Sequence, residues 1–140
     1  MNNKEYTAKV NNGDFPNEVI VPLDKGFEDI RGKIQNLLLT PITSVAIITS
    51  KAGSVRSNHY HLKNWHYLYI VSGSMEYYER EIAESSENIK PIIVKAGEMV
   101  FSGPMKVHKT VFLEDTVMMS FGAGTKDHEH HEEDLVRVEF

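Results

Sequence analysis

Short β-branched apolar runs, cut by Gly or Pro before any helical stripe develops, most constrain how this chain can fold. Period-2 segments suit half-buried strands, and their frequent interruption suits tight reversals. Strands are expected near Glu18–Pro22, Lys33–Leu39, Thr43–Ser50, Trp65–Val71, Ser74–Glu81, Pro91–Lys95, Glu98–Phe101, Val107–Leu113, Thr116–Phe121 and Leu135–Glu139. No 12-residue window carries a capped 3.6-residue stripe, and a single helical turn near Leu23–Ile30 is the only helical expectation. The pattern predicts an all-β sandwich or barrel. One domain spans residues 16–140, preceded by a flexible arm over residues 1–15. Ala83–Lys90 reads as a polar surface hairpin, and Gly122–Asp134 as a flap or crossing tail.

Charge and cysteine content narrow the function. The net charge is −5, with acidic clusters at Glu76–Glu87 and Asp127–Asp134, so neither a nucleic-acid binder nor an anionic-membrane binder is expected. There is no cysteine, which excludes thiolate ligands, thiol nucleophiles and disulfides. The polar opening MNNKEYTAKV lacks an apolar core, and the run Val45–Ile48 is too short to span a bilayer. A cytoplasmic protein is the expectation.

The histidines carry the chemistry. His59 and His61 are two apart, so on a strand their rings share a face. Alternation puts His66 with Leu68 and Ile70, and His108 with Thr110 and Phe112, on faces that read as interior. A buried neutral imidazole needs partners for both nitrogens, and a metal supplies one. Imidazoles without thiolates suit Fe, Co, Ni, Cu or Zn better than Mg or Ca, with Mn also possible as the single divalent ion. His128, His130 and His131 lie among Asp and Glu and read as a solvated loop.

Two blocks frame these residues. The first runs Gly53, five residues, His59-Tyr60-His61, four residues, His66, six residues, Gly73. The second runs from Gly97 through Gly103-Pro104 to His108. They resemble the two motifs of the cupin superfamily. His66 stands where those motifs have Glu, Lys106 where Gly is usual, and one extra residue separates Gly97 from Pro104. The resemblance covers roughly Gly53–Phe121. It implies a double-stranded β-helix, a cupin jelly-roll barrel, with a metal in its mouth on His59, His61, His66 and His108.

Arg56-Ser57-Asn58-His59-Tyr60-His61 further resembles the Arg-Gly-x-His-Tyr-Gln stretch of dTDP-4-dehydrorhamnose 3,5-epimerases, and Asp29–Gly32 their early Arg-Gly segment. Cupin domains of surface-polysaccharide enzymes share such combinations. The resemblance implies His59 as a base and Arg56 and Arg31 as substrate contacts. No tyrosine follows Tyr78, so the late catalytic Tyr of the epimerases has no counterpart. Tyr67 is a candidate sugar-stacking residue; Glu76 and Tyr77 are candidate proton-transfer groups. The leading expectation is a metal-dependent isomerase or epimerase acting on a sugar or sugar nucleotide. An Fe(II) dioxygenase and a non-catalytic sugar- or metal-binding module are the alternatives. The partners expected are a carbohydrate or organic anion and a second copy of the chain.

Overall fold

The computed structural model describes residues 1–123 and 134–140. A short helix, α1 (Asn3–Asn11), precedes the strands. These are β1 (Phe27–Asp29), β2 (Gly32–Ile34), β3 (Ser44–Ser50), β4 (Val55–His61), β5 (Trp65–Ser72), β6 (Ser74–Glu81), β7 (Ile92–Lys95), β8 (Met99–Ser102), β9 (Lys106–Phe112), β10 (Thr116–Ala123) and β11 (Leu135–Arg137). A four-stranded sheet, β3-β10-β5-β8, faces a five-stranded sheet, β11-β4-β9-β6-β7, and β1-β2 is a separate hairpin. Every described strand pair is antiparallel. The architecture is the cupin jelly roll, and the all-β expectation holds.

Alternation builds the core between the sheets. Leu68 and Ile70 of β5, Val100 of β8 and Met118 of β10 meet Met75 and Tyr77 of β6, Val94 of β7 and Phe112 of β9. Apolar residues recur at every second position and one face of each sheet is buried, which fixes strand register against slippage. Burying each such side chain contributes about 1.5–3 kcal/mol.

The opposite face of the four-stranded sheet is covered by a helix where a flexible arm was expected. Asn2 accepts from the Glu5 backbone and Glu5 reaches back to the Asn2 backbone, a reciprocal cap. Tyr6 and Val10, one helical turn apart, bury completely against Tyr67, Met99 and Phe101. The amide of Asn3 donates to the carbonyls of Pro22 and Leu37, and the Tyr6 hydroxyl donates to that of Glu18. Residues 1–11 are thus tied down by packing and by hydrogen bonds to distant chain.

Three other local expectations change. The stretch 18–22 contributes only the isolated bridge Ile20↔Val100. The strand expected over 33–39 shortens to β2, and the helical turn expected near Leu23–Ile30 gives way to β1. Asp29 and Arg31 nucleate the β1-β2 turn, the Arg31 amide and guanidinium both donating to the Asp29 carboxylate. β4 was not among the expected strands.

Candidate functional site

Two irregular turns aim the histidines. In β4, Ser57 and Asn58 take positive φ, 80° and 58°, and the pairing of β4 with β9 shifts register between Ser57 and His59. This bulge carries one extra residue past the partner strand and re-aims the residues that follow. Ser57 occupies the glycine position of the Arg-Gly-x-His resemblance, and its left-handed backbone explains why glycine suits that position. The second turn leads into β9. Its left-handed residue is Met105 at φ 61°, not Lys106. Counted from Gly97, the glycine of the second cupin motif therefore falls on Met105, and the Gly97-to-His108 spacing matches the motif without an insertion. A Cβ costs about 1–2 kcal/mol in this region, part of which glycine returns as unfolded-chain entropy. Met105→Gly is therefore expected to stabilise the fold by about 1 kcal/mol, raising the thermal midpoint by roughly 3 °C in calorimetry.

The four histidines converge on one cavity of about 300 Å³, which Arg56, Met118 and Ser120 also line. The ligand-capable nitrogens of His59, His61 and His108 all lie within 4.8 Å of one another. Ring centroids are 4.6 Å apart for His59 and His108, and 4.9 Å for His59 and His61. His66 stands beside this trio, its ring 5.0 Å from that of His61 and its Nδ1 3.5 Å from Ser120 Oγ. Register explains the convergence: His59 pairs with His108, and His66 pairs with Ser102 on the facing sheet.

Partners behind the rings set their orientation. His61 Nδ1 is 3.1 Å from Asp134 Oδ2, so Nε2 points the other way, into the cavity. Asp134 is itself held by the backbone N–H groups of Lys63 and Asn64. His108 Nδ1 lies 3.2 Å from the Lys106 carbonyl and 3.3 Å from Ser102 Oγ. Burial first, and then the neighbouring His59 imidazole, push the His108 pKa down to about 3, so its ring is neutral at physiological pH. Clustered imidazoles, two of them tied from behind, fit a divalent transition metal by the chemistry of the donor set.

Four residues expected at the site have other places. Tyr67 packs beneath α1 on the outer face of its sheet, because β5 alternation sends His66 inward and Tyr67 outward. Arg31 is on the exposed β1-β2 hairpin, paired with Asp29 at 2.6 Å and remote from the cavity. Glu76 points outward toward Tyr78, since its neighbours Met75 and Tyr77 face the core. Tyr77 is interior but stands behind His108, the two rings stacked with centroids 6.2 Å apart, and does not line the cavity. Arg56 does line it. Its Nε donates to Ser50 Oγ at 2.8 Å and its Nη2 to the Thr49 carbonyl at 3.0 Å, which anchors the guanidinium at the rim.

The sequence reading missed Asp134, Ser102 and Glu79. Ser102 and Glu79 were accessible through alternation, from Val100 and from Tyr77. Asp134 sat in an acidic run with no local sign of its role. His128, His130 and His131 lie outside the described residues.

Two facing antiparallel sheets with a histidine-lined cavity between them form a cupin-type jelly roll, and solved structures agree on the fold. The sugar 3,4-ketoisomerase QdtA from Thermoanaerobacterium thermosaccharolyticum, in complex with TDP, superimposes with a TM-score of 0.68 at 20% identity, covering 86% of each chain. A dTDP-4-dehydrorhamnose 3,5-epimerase from Sulfolobus tokodaii gives 0.63 at 17% identity, over 78% of this chain and 72% of that one. The capsular polysaccharide assembling protein CapF from Staphylococcus aureus gives 0.62 at 22% identity, over 91% of this chain and 37% of that one. No protein-family model and no curated protein sequence matches the chain. Among the described residues, no helix is long and apolar enough to cross a membrane.

Proposed function

We propose that this cupin is a metal-dependent isomerase or epimerase acting on a sugar nucleotide. The observation that carries the reading is the meeting of His59, His61, His66 and His108 in one cavity with Arg56 at its rim. Solved sugar-nucleotide isomerases and epimerases of the same fold support it. His59, His61 and His108 form the compact donor set for a divalent ion, which supplies Lewis acidity toward adjacent sugar oxygens. His66, which lines the cavity beside that set, would move the proton, a role that Glu76 on the outward face cannot take. Arg56, anchored on β3 through Nε and Nη2, leaves its Nη1 end to donate to a diphosphate. The exposed Val45 and Ile47 of edge strand β3 would be covered by a second copy of the chain.

Incubation with TDP-4-keto-6-deoxyglucose, followed by proton NMR of the sugar, tests the reading. Conversion that depends on added Co(II) or Zn(II) supports it. Oxygen uptake on turnover replaces isomerisation with oxygenation. TDP binding without conversion makes the protein a binding module. A species of one chain mass in sedimentation removes the dimer.

Gly122 separates the two roles assigned to histidine. It pairs with His66 across the sheet, and a Cβ there would approach His66 Nδ1 to 2.7 Å and the Trp65 carbonyl to 3.0 Å. Gly122→Ala is therefore expected to displace the His66 ring. Misplacing a reacting group by about 1 Å costs on the order of 100-fold in rate. Turnover should fall by about that factor while Co(II) affinity stays within about threefold. An equal loss of both would return His66 to the ligand set.

A further inference from the structure

Behind the cavity, a file of polar side chains runs through the apolar interior and is unused by the reading above. Ser102 and Tyr77 are each 1% exposed, and His108 is 4% exposed. The file starts at His108, whose Nδ1 lies near both the Lys106 carbonyl and Ser102 Oγ. A carbonyl only accepts, so Nδ1 must carry the hydrogen. Ser102 Oγ, on the same side, then receives from Nδ1 and has its own hydrogen to pass on. Tyr77 comes next in the file: its ring stacks on that of His108 at 6.2 Å, and Ser102 acts on its hydroxyl in the sense of a donor. The Tyr77 hydroxyl in turn donates to Glu79 Oε1 at 2.9 Å. The Lys106 carbonyl thus sets the hydrogen at the imidazole end, and the Glu79 carboxylate sets the Tyr77 hydrogen at the other.

The end of the file is different ground. Glu79 borders a second cavity of about 170 Å³, shared with Glu18, Lys106 and Pro104. Burial raises the Glu79 pKa, while the Tyr77 hydrogen bond and Lys106 lower it and Glu81 raises it. Lys106 also pairs with Glu81. Tyr77 is held well above the ordinary tyrosine range, first by burial and then by Glu79, so it remains a donor.

We propose that Ser102, Tyr77 and Glu79 are positioning residues: a one-directional chain of hydrogen bonds that holds His108 in its Nδ1–H form, with Nε2 presented to the cavity. Hydrogen bonds in series polarise one another, and an anionic terminus strengthens each of them. The arrangement extends the familiar carboxylate behind a metal-binding imidazole by two hydroxyls. His61 has the short version in Asp134, so each of the two rings is tied from behind by its own carboxylate. Only the link to metal affinity rests on the proposed function; the state of the His108 ring does not.

The test uses metal-free, 15N-labelled full chain and long-range imidazole NMR, with Co(II) titration alongside. In the parent, His108 should show a protonated Nδ1 and an unprotonated Nε2. Ser102→Ala and Tyr77→Phe should shift both ring signals, and Glu79→Gln should shift them less, since an amide oxygen still accepts but carries no charge. Co(II) dissociation constants should rise by about tenfold in Tyr77→Phe. Ring signals that superimpose on the parent in Ser102→Ala and Glu79→Gln, whatever happens to the thermal midpoint, would overturn the proposal. A parent that takes up no Co(II), yet whose ring signals follow these substitutions, keeps the chain and removes the metal.

Discussion

Replacing His61 by alanine is expected to abolish metal uptake: Co(II) bound per chain should drop from near one to near zero. His61 is the central ring of the cluster, its centroid 4.9 Å from that of His59, 5.0 Å from that of His66 and 5.8 Å from that of His108. It is 2% exposed and oriented by Asp134, so neither water nor a neighbouring side chain can take its place without repacking. Loss of a residue that only orients a ligand costs about 10–100-fold in affinity, and loss of the ligand itself should exceed that range. The fold should survive, because Asp134 keeps hydrogen bonds from the N–H groups of Lys63 and Asn64. His61→Gln, closer in volume, controls for the cavity left by alanine. Arg31→Ala, on the remote hairpin, should bind Co(II) as the parent does. Visible absorption of the cobalt protein reads all three variants. Undiminished uptake in His61→Ala would remove the histidine cluster as the binding site.

Gly73→Ala should produce the largest loss of stability. Gly73 joins β5 to β6, where the chain passes from one sheet to the other, and has φ 92°. A Cβ there would overlap Thr116 Oγ1 and come within 2.6 Å of the Asp115 carbonyl and 2.8 Å of Thr116 Cα. Two of those atoms are backbone, so rotating a side chain does not relieve the clash. Thr116 cannot withdraw easily either, because its hydroxyl accepts from the Ser74 N–H and faces the Glu114 carbonyl. Backbone strain costs about 1–3 kcal/mol, and forced displacement of packed strands adds about as much again. A loss of at least 3 kcal/mol, about half the stability of a marginal domain, is expected in urea unfolding. Gly53→Ala isolates the conformational part. Its φ is 85° with nothing within 4 Å of the added atom, so it should lose about 1 kcal/mol. Equal losses at the two glycines would assign the whole effect to φ and none to packing.

Legibility followed the range of the physics. Strand alternation is local, so β5 was readable to the residue: His66, Leu68 and Ile70 go inward, Tyr67 and Tyr69 outward. What covers the outward face is not readable from alternation, and Tyr67, expected to contact substrate, anchors α1 instead. That helix had a faint local signature in the Asn2-x-x-Glu5 cap and the Tyr6/Val10 spacing. Nine residues of weak amphipathicity do not hold a helix without a surface to dock on, so local pattern alone could not establish it. Glu76 was misassigned for the converse reason. The acidic residue on the inward face of β6 is Glu79, and the cavity it joins is walled by Phe15–Val19 and by the β8–β9 connection, both distant in sequence.

The sequence by itself determined that this chain pairs strands in an all-β fold, and that His59 and His61 share one face. Both follow from a two-residue period and from the reversals that Gly53, Gly73 and Gly97 permit. Tertiary structure alone decided that His108 joins those two in a compact set with His66 alongside. It also decided that Arg56 belongs to the site while Arg31 does not, and that Asp134 and Glu79 stand behind it. Those relations join residues dozens of positions apart across two sheets. A side chain's partners there depend on strand register and sheet closure, which no local pattern encodes.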